Sequence, residues 1–412
     1  MTSNITNPAL FESGLDKIHW VESYMPILNN IRAEFEKTKP FAGKKISMSI
    51  HLEAKTAYLA ITLKAGGADV YITGCNPLST QDDVAAALHS LGFCVNAHHG
   101  ASEEQYIADL KATLSVKPDL MIDDGGDFIS LIEGECREYG QNLLGGCEET
   151  TTGIHRLRSR MASGDLHYTM LDVNDAECKH LFDNRYGTGQ STLDGIMNTT
   201  NLIIAGKTVV VAGYGWCGRG IAMRAKGMGA LVVVTEVNPV KAIEAIMDGF
   251  RVMPMEEAAK IGDLFITATG CKDVITEKSI NNLKDGVLLA NSGHFNVEIN
   301  EPDLRRNATK IWERKPNIRG YHMADGRIIN LLADGRLVNL AAGNGHPAEI
   351  MDMSFSIQAK GLEYLAKHGK EMAPGLYNIP ADIDSAVANY KLKSANVEID
   401  KLSDEQKAYL GL

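Results

Sequence analysis

Within His51-Leu-Glu53-Ala-Lys55-Thr56 the chain places an imidazole, a carboxylate, an ammonium and a hydroxyl almost side by side. Comparable density recurs at Ser79-Thr80-Gln81-Asp82, at Asp123-Asp124-Gly-Gly-Asp127, at Glu148-Glu149-Thr150-Thr151-Thr152-Gly153, and at Asn174-Asp175 followed by Lys179, Asp183 and Asn184. Carboxylates and imidazoles move protons, and a lysine joins them as a base if burial or neighbouring charge lowers its pKa. On a helix Lys179 and Asp183 share one face, being four residues apart. Any one cluster alone reads equally well as a turn or a strand end. Their joint occurrence points to one polar cleft.

A second kind of site begins at Gly213-Tyr-Gly215-Trp216-Cys217-Gly218-Arg219-Gly220, directly after the apolar run VVVA. In a strand–turn–helix context the first glycine permits the tight turn, the second lets backbone approach a pyrophosphate, and the third packs helix against strand. The helix N-terminus then offers unpaired N–H groups to phosphate. Glu236 ends the next apolar run, 18 residues after Gly218. A carboxylate there accepts from ribose hydroxyls and repels a 2′-phosphate, favouring NAD over NADP; Lys241 nearby argues mildly the other way.

These residues need a scaffold that gathers them. β-rich runs alternate with helical patterns: strands over 44–52, 68–74 and 118–126, with helices over 54–65 and 79–91. A fresh series follows, with strands at 208–215, 230–237, 263–270 and 286–293 and a helix from the glycine motif to about Met228. Such alternation predicts an α/β fold of two doubly wound domains with parallel sheets. Ligands in such sheets bind beyond the carboxyl ends of the strands, where the polar clusters stand. The helical pattern from about Ala348 follows a finished nucleotide-binding series, so it is expected to return to the first domain. The expected division is 1–186 with 348–385 for substrate, 187–347 for NAD, and 386–412 as a charged, amphipathic docking tail, with hinges near 184–191 and 346–351.

The bulk numbers agree with an enzyme of this size. With 412 residues, 44% hydrophobic, the chain can fill two cores. Its 41 basic and 52 acidic residues give a net charge of −11, and the absence of long Lys/Arg runs argues against tracking a nucleic-acid backbone. Seven scattered cysteines without a CxxC pair argue for reduced thiols rather than a disulfide or zinc scaffold. The N-terminus has no apolar signal core and no long apolar run spans a membrane, so a cytoplasmic protein is expected.

Seven stretches together resemble the S-adenosylhomocysteine hydrolase family: NPLSTQDDVAAAL (76–88), DDGGD (123–127), EETTTG (148–153), KHLFDNRYG (179–187), VAGYGWCGRG (211–220), NSGHFNVEI (291–299) and GRLVNLAAGNGHP (335–347). The resemblance covers nearly the whole chain. It implies reversible hydrolysis of a nucleosyl-homocysteine thioether: oxidation at ribose C3′ by bound NAD, loss of the C4′ proton, elimination of homocysteine, addition of water and re-reduction. It assigns Lys179 to the 3′-hydroxyl proton, and Asp183 and Glu149 to the ribose hydroxyls. Asp124 and His51 go to the C4′ proton and water, with their division open. His294 and His346 lie in the cleft, His294 toward homocysteine or the nicotinamide edge. Thr150, Thr151, Thr152, Asn184, Gly213, Gly215, Trp216, Cys217, Gly218, Arg219, Gly220, Glu236, Thr269, Ser292, Gly293, His294, Asn339 and His346 are assigned to NAD. The resemblance implies no catalytic metal, a monovalent cation near Gln81 and His346, nucleoside and homocysteine as small-molecule partners, and a homotetramer. Two other readings carry less of the pattern: a dehydrogenase that turns NADH over, and a non-catalytic NAD-sensing module.

Three departures stand out. The chain ends at Leu412, without the basic, tyrosine-containing tail of many relatives. Thr188 stands where many have a cysteine near the nicotinamide. Glu53 and Lys55 stand where the common form has Thr and Glu for reading adenine. A lysine only donates, so it cannot accept from a 6-amino group, but it can donate to a 6-oxo group while Glu53 accepts from a protonated N1. The substrate-binding set is therefore His51, Glu53, Lys55, Thr56, Asp124, Glu149, Lys179, Asp183, His294 and His346. Either Glu53 and Lys55 read hypoxanthine, or they pair with each other, or Lys55 faces solvent, and backbone reads adenine.

Overall fold

The computed structural model describes residues 3–411. Its strands in chain order are β1 (Asn4–Ile5), β2 (Lys45–Ser49), β3 (Asp69–Thr73), β4 (Cys94–Ala97), β5 (Leu120–Asp123), β6 (Gly145–Glu148), β7 (Thr169–Asp172), β8 (Thr208–Ala212), β9 (Leu231–Thr235), β10 (Arg251–Val252), β11 (Leu264–Thr267), β12 (Leu288–Asn291), β13 (Ala308–Lys315), β14 (Ile318–Met323), β15 (Ile328–Leu332) and β16 (Gly375–Asn378). Two sheets result, β1-β4-β3-β2-β5-β6-β7-β16 and β10-β9-β8-β11-β12-β15-β14-β13.

Every pairing in the first sheet is parallel. Parallel strands need crossovers, and these bury both faces of the sheet. On one face Ile46, Met48 and Ile122 pack with helices Pro26–Thr38, Ala54–Ala65 and Ala348–His368. On the other, Met121 and Met170 pack with helices Glu103–Leu114, Asp127–Glu133 and Thr151–Ser163. Helix Ala348–His368 does return to the first sheet, and β16 pairs parallel with β7 after it.

Strand order reverses between β2 and β5 in the first sheet and between β8 and β11 in the second. At such switch points the connections leave in opposite directions and open a crevice at the strands' carboxyl ends. β2 runs into His51 and β5 into Asp124; β8 runs into Gly213 and β11 into Thr269.

The second sheet is not purely parallel as the sequence reading expected. β14 is antiparallel to both β13 and β15. Only Pro316 and Asn317 join β13 to β14, with Asn317 at a φ of 63°, and a link that short cannot cross over to a parallel neighbour. The helix expected over 79–91 begins at Asp82, because Ser79 and Thr80 both turn their hydroxyls back to the Asn76 carbonyl. The boundary expected at 386 falls inside helix Ala381–Ser394, whose Val387 is buried. Beyond it, among the described residues, only helix Asp404–Leu410 forms, and it is exposed throughout.

Candidate active site between two switch points

A cavity of about 1290 Å³ is lined from both sheets. That exceeds the roughly 300–1,000 Å³ of a typical single-ligand pocket, leaving room for a dinucleotide beside a substrate. Every residue of the expected substrate set lines it.

On the β2–β5 side, Asp124 is the centre. Its Oδ2 lies 3.7 Å from His51 Nε2 and 3.4 Å from Cys75 Sγ, and its Oδ1 lies 4.0 Å from His294 Nδ1. Asp124 Oδ1 is buried without a hydrogen-bond partner among the described residues. The nitrogen and oxygen atoms of His51, Asp124 and His294 that could bind a cation lie within 4.8 Å of one another. Burial pushes the Asp124 carboxyl up and the His294 imidazole down, and lowers His51 to about 3. His51 is therefore neutral near pH 7, with Nδ1 2.6 Å from the Ser79 hydroxyl.

Lys179 lies in a second cluster. Its ammonium is 3.1 Å from Asp183 Oδ2, 3.4 Å from Glu149 Oε1 and 2.8 Å from Asn184 Oδ1. Residues His180–Gly187 wind as a π-helix rather than the α-helix assumed from sequence. The wider turn brings residue i+5 onto the face of Lys179, so Asn184 joins Asp183 there. The Asn184 amide donates to Asn174 Oδ1, which also accepts from the Thr151 hydroxyl. His346 Nδ1 hydrogen-bonds Asp183 Oδ1, and His346 Nε2 is 3.3 Å from the Thr188 hydroxyl. Burial works to lower the Lys179 pKa, but Asp183 and Glu149 outweigh it and raise it. The lowered value expected of a base is thus not found. The same contacts hold Asp183 below the usual carboxylate range against its burial, while burial lifts Glu149 to about 7.

Glu53 and Lys55 are both buried, with Lys55 Nζ 2.7 Å from Glu53 Oε2 and donating to the Asn344 carbonyl at 2.9 Å. Glu53 also caps helix Ala54–Ala65, accepting from the Lys55 and Thr56 amides. Of the three options open in the sequence, the solvent-facing Lys55 is not found, and the pairing of Glu53 with Lys55, set there against the reading of hypoxanthine, is found.

Across the cavity, Gly213, Gly215, Trp216, Cys217, Glu236, Thr269, Ser292, Gly293 and Asn339 form the wall, with Thr150, Thr151, Thr152 and Asn184 reaching it from the first sheet's side. Glu236 accepts from the amides of Tyr214, Val237 and Asn238, which hold its carboxyl below the usual range although burial opposes them. Asn339 Oδ1 is buried and unpartnered among the described residues while its amide donates to Ser191, so an acceptor is left for a carboxamide such as nicotinamide carries. The residues fit NAD.

Three residues of the expected cofactor set do not reach this wall. A Cβ on Gly218 would sit 1.9 Å from the Gly213 carbonyl oxygen, and one on Gly220 1.7 Å from that of Arg185, so both glycines serve close packing. Arg219 turns away to pair with Glu244 and lies over the Trp216 ring at 4.6 Å. Gln81 is not among the residues lining the cavity, and its side-chain oxygen accepts from Lys17 at 2.9 Å.

Sequence reasoning missed two residues of helix Ala348–His368. The Ser354 hydroxyl is 2.8 Å from Glu149 Oε1 and 3.1 Å from Asp183 Oδ2, and the Gln358 amide donates to Glu149 Oε2 at 2.5 Å. Their spacing of four is a weak signal, because Asp352 and Ser356 are polar and buried on the same stretch of helix.

Comparison with known proteins agrees with this geometry. Residues 2–143 match the family model described as S-adenosyl-L-homocysteine hydrolase, and residues 184–345 match its NAD binding domain. The chain is 56% identical to an S-inosyl-L-homocysteine hydrolase of Methanocaldococcus jannaschii over 97% of this chain and 96% of that one. It is 55% identical to an adenosylhomocysteinase of Thermococcus kodakarensis (98% and 96% covered) and 55% identical to one of Thermotoga maritima (97% and 98%). Near-complete coverage at such identity, joined to a cavity walled by an NAD cradle and the Lys179 and Asp124 clusters, makes this chain a member of the S-adenosyl-L-homocysteine hydrolase family.

Proposed function

We propose that this chain catalyses the reversible hydrolysis of a purine nucleosyl-L-homocysteine to homocysteine and the free nucleoside, with S-inosyl-L-homocysteine preferred over S-adenosyl-L-homocysteine. The buried Glu53–Lys55 pair on the cavity wall carries the choice of base. The Lys55 ammonium has three N–H donors and uses two, on Glu53 and the Asn344 carbonyl. A third remains for a 6-oxo group, and Glu53 keeps acceptor capacity for a protonated N1. Adenine would set a donor against the ammonium and an acceptor against the carboxylate. Relatives of near-equal identity bear both names, so overall similarity does not choose between them.

Held by the wall of Gly213, Gly215, Glu236, Thr269 and Asn339, NAD would supply the hydride acceptor for oxidation at C3′ and the donor for the final reduction. The chain's own groups handle protons. Lys179 exchanges the 3′-hydroxyl proton, and Glu149 and Asp183 hold the ribose hydroxyls. Asp124, flanked by two neutral imidazoles, takes the C4′ proton, and His51 orients water. His294 closes over homocysteine. Movement at 184–191 and 346–351, between a substrate part (1–186 and the segment from 348 through helix Ala381–Ser394) and an NAD part (187–347), would exclude water while the ketone exists. Seven free cysteines support a reducing, cytoplasmic setting, and a homotetramer is the assembly we expect.

The test is synthesis: protein loaded with NAD, given homocysteine with inosine or adenosine, the thioether followed by mass spectrometry. Preferential use of inosine supports the reading. Preferential use of adenosine overturns the choice of base, and steady NADH release overturns the hydrolase.

A further inference from the structure

Lys179 poses a problem that the catalytic set does not solve alone. To take a proton from a hydroxyl its amine must be free, yet Asp183 and Glu149 hold it as an ammonium. The proton needs a nearby place to go. Asp183 is a poor one, because His346 and Lys179 both stabilise its charge. Glu149 is better placed: its Oε1 lies 3.4 Å from Lys179 Nζ, and its carboxyl is lifted to about 7 by burial.

We propose that Ser354 and Gln358 are positioning residues for the oxidation step, fixing both oxygens of Glu149 so that it can take the proton of Lys179 and free the amine. The inference rests on the function proposed above and deepens it. The Gln358 amide holds Oε2 at 2.5 Å. The Ser354 hydroxyl meets Oε1, the oxygen that faces Lys179, at 2.8 Å, and Asp183 Oδ2 at 3.1 Å. One hydroxyl proton thus stands between two carboxylates. It donates to Glu149 while Glu149 is charged; once Glu149 is protonated, the carboxyl can donate to Ser354 and Ser354 to Asp183. The balance is simple. An N–H bond of Lys179 breaks, an O–H bond of Glu149 forms, and ammonium plus carboxylate become amine plus carboxylic acid with no change in net charge. The amine then takes the 3′-hydroxyl proton.

The groups facing Glu149 are few among the described residues. Lys179 and Asp183 come from residues 177–187 and Asp124 from the end of β5. His346 reaches Asp183 from the loop before helix Ala348–His368, and that helix itself presents the neutral Ser354 and Gln358. All four polar side chains of this knot, Glu149, Asp183, Ser354 and Gln358, are buried.

A state with both Lys179 and Glu149 protonated cannot accept the substrate proton, so the acid limb of the oxidation rate follows Glu149. Removing a donor from Glu149 makes it easier to protonate and moves that limb to higher pH. The experiment uses NAD-loaded holoenzyme mixed with nucleoside, following the absorbance of reduced nicotinamide from about pH 6 to pH 10. Ser354→Ala is expected to shift the acid limb up by about one pH unit, the effect of one hydrogen bond to a charged group, and so to slow oxidation about 5-fold at pH 7 and up to about 10-fold below it, with little change in KM. Ser354→Thr, which keeps the hydroxyl, is expected to restore the profile. Gln358→Met is expected to shift the limb in the same direction and carries the test should Ser354→Ala not fold. A wild-type profile in the variants, or a loss confined to KM, overturns the positioning role while wild-type oxidation keeps the function standing. Absence of oxidation in the wild type overturns both.

Discussion

Exchanging the base-reading pair should invert the enzyme's choice of nucleoside. Two mismatches would face adenine: its 6-amino group against the Lys55 ammonium, and its N1 lone pair against the Glu53 carboxylate, both residues being buried. A buried polar group left without a partner costs about 1–3 kcal/mol, so two give about 2–6 kcal/mol, or roughly 30- to 20,000-fold in kcat/KM. Lys55→Met is a poor test, because it strips Glu53 of its ammonium partner and leaves a buried charge, which alone destabilises by about 3–5 kcal/mol. The informative variant is Glu53→Thr with Lys55→Glu. Threonine can still cap helix Ala54–Ala65 as Glu53 does, and a glutamate at 55 accepts from a 6-amino group. The assay is kcat/KM for synthesis of the thioether from inosine and from adenosine, for wild type and double variant, each loaded with NAD. Wild type should favour inosine by at least about 30-fold. The double variant should favour adenosine. Equal use of both nucleosides by wild type, or an unchanged ratio in the variant, would refute the assignment of base reading to this pair.

Three further outcomes follow from the packing, the hydrogen bonds and the burial of single residues. Gly220→Ala forces a methyl to within 1.7 Å of the Arg185 carbonyl oxygen, so helix Trp216–Gly227 must move off the π-helical segment; a loss of about 1–3 kcal/mol in urea unfolding is expected, and an unchanged midpoint would contradict the packing. Glu236→Gln removes the charge that faces a 2′-phosphate and frees amides now bound to it; calorimetry should show NAD binding weakened about 10-fold and the preference over NADP reduced, and retention of both would remove Glu236 from the ribose site. His51 is lowered to about 3 by burial, so the folded state refuses a proton that the unfolded chain takes from about pH 6.5 downward. Stability therefore falls on acidification by about 1.4 kcal/mol per pH unit from this group, and His51→Gln should flatten the acid side of the profile of unfolding midpoint against pH; parallel profiles would show His51 to be charged in the fold.

The elements most readable in the sequence were those where a strand's apolar run stops at a polar cluster or a glycine. β2 before His51, β5 before Asp124, β8 before Gly213 and β11 before Thr269 were all expected, and these four line the two switch points. β6 escaped notice because its sequence, Gly-Gly-Cys-Glu, has almost no side chain to show a period, although every residue in it is buried. The β13–β14 hairpin escaped because its strands face solvent on one side and carry charge, as in Lys310, Glu313 and Lys315. Type alone also overstated the glycine motif. Gly213 and Gly215 stand at the cavity, whereas Gly218, Arg219 and Gly220 hold the helix against its neighbours.

The charge states were the least readable, and for a definite reason. A role for Lys179 as a base was tied to a lowering of its pKa, which burial acting alone would bring. Two carboxylates reverse it, and only Asp183 is close enough in sequence to be seen. Glu149 arrives from another strand, and the groups that hold Glu149, Ser354 and Gln358, arrive from 205 and 209 residues further along. His346 reaches Asp183 across 163 residues. Residue types therefore announce that protons move here, but the direction in which each proton is held depends on a helix that the chain supplies only after completing a whole second sheet. That helix starts two residues after His346, beside the expected hinge. A displacement of this helix would thus act on Glu149 and Asp183 through Ser354, so the charge on Lys179 depends on the helix as well as on its near neighbour Asp183.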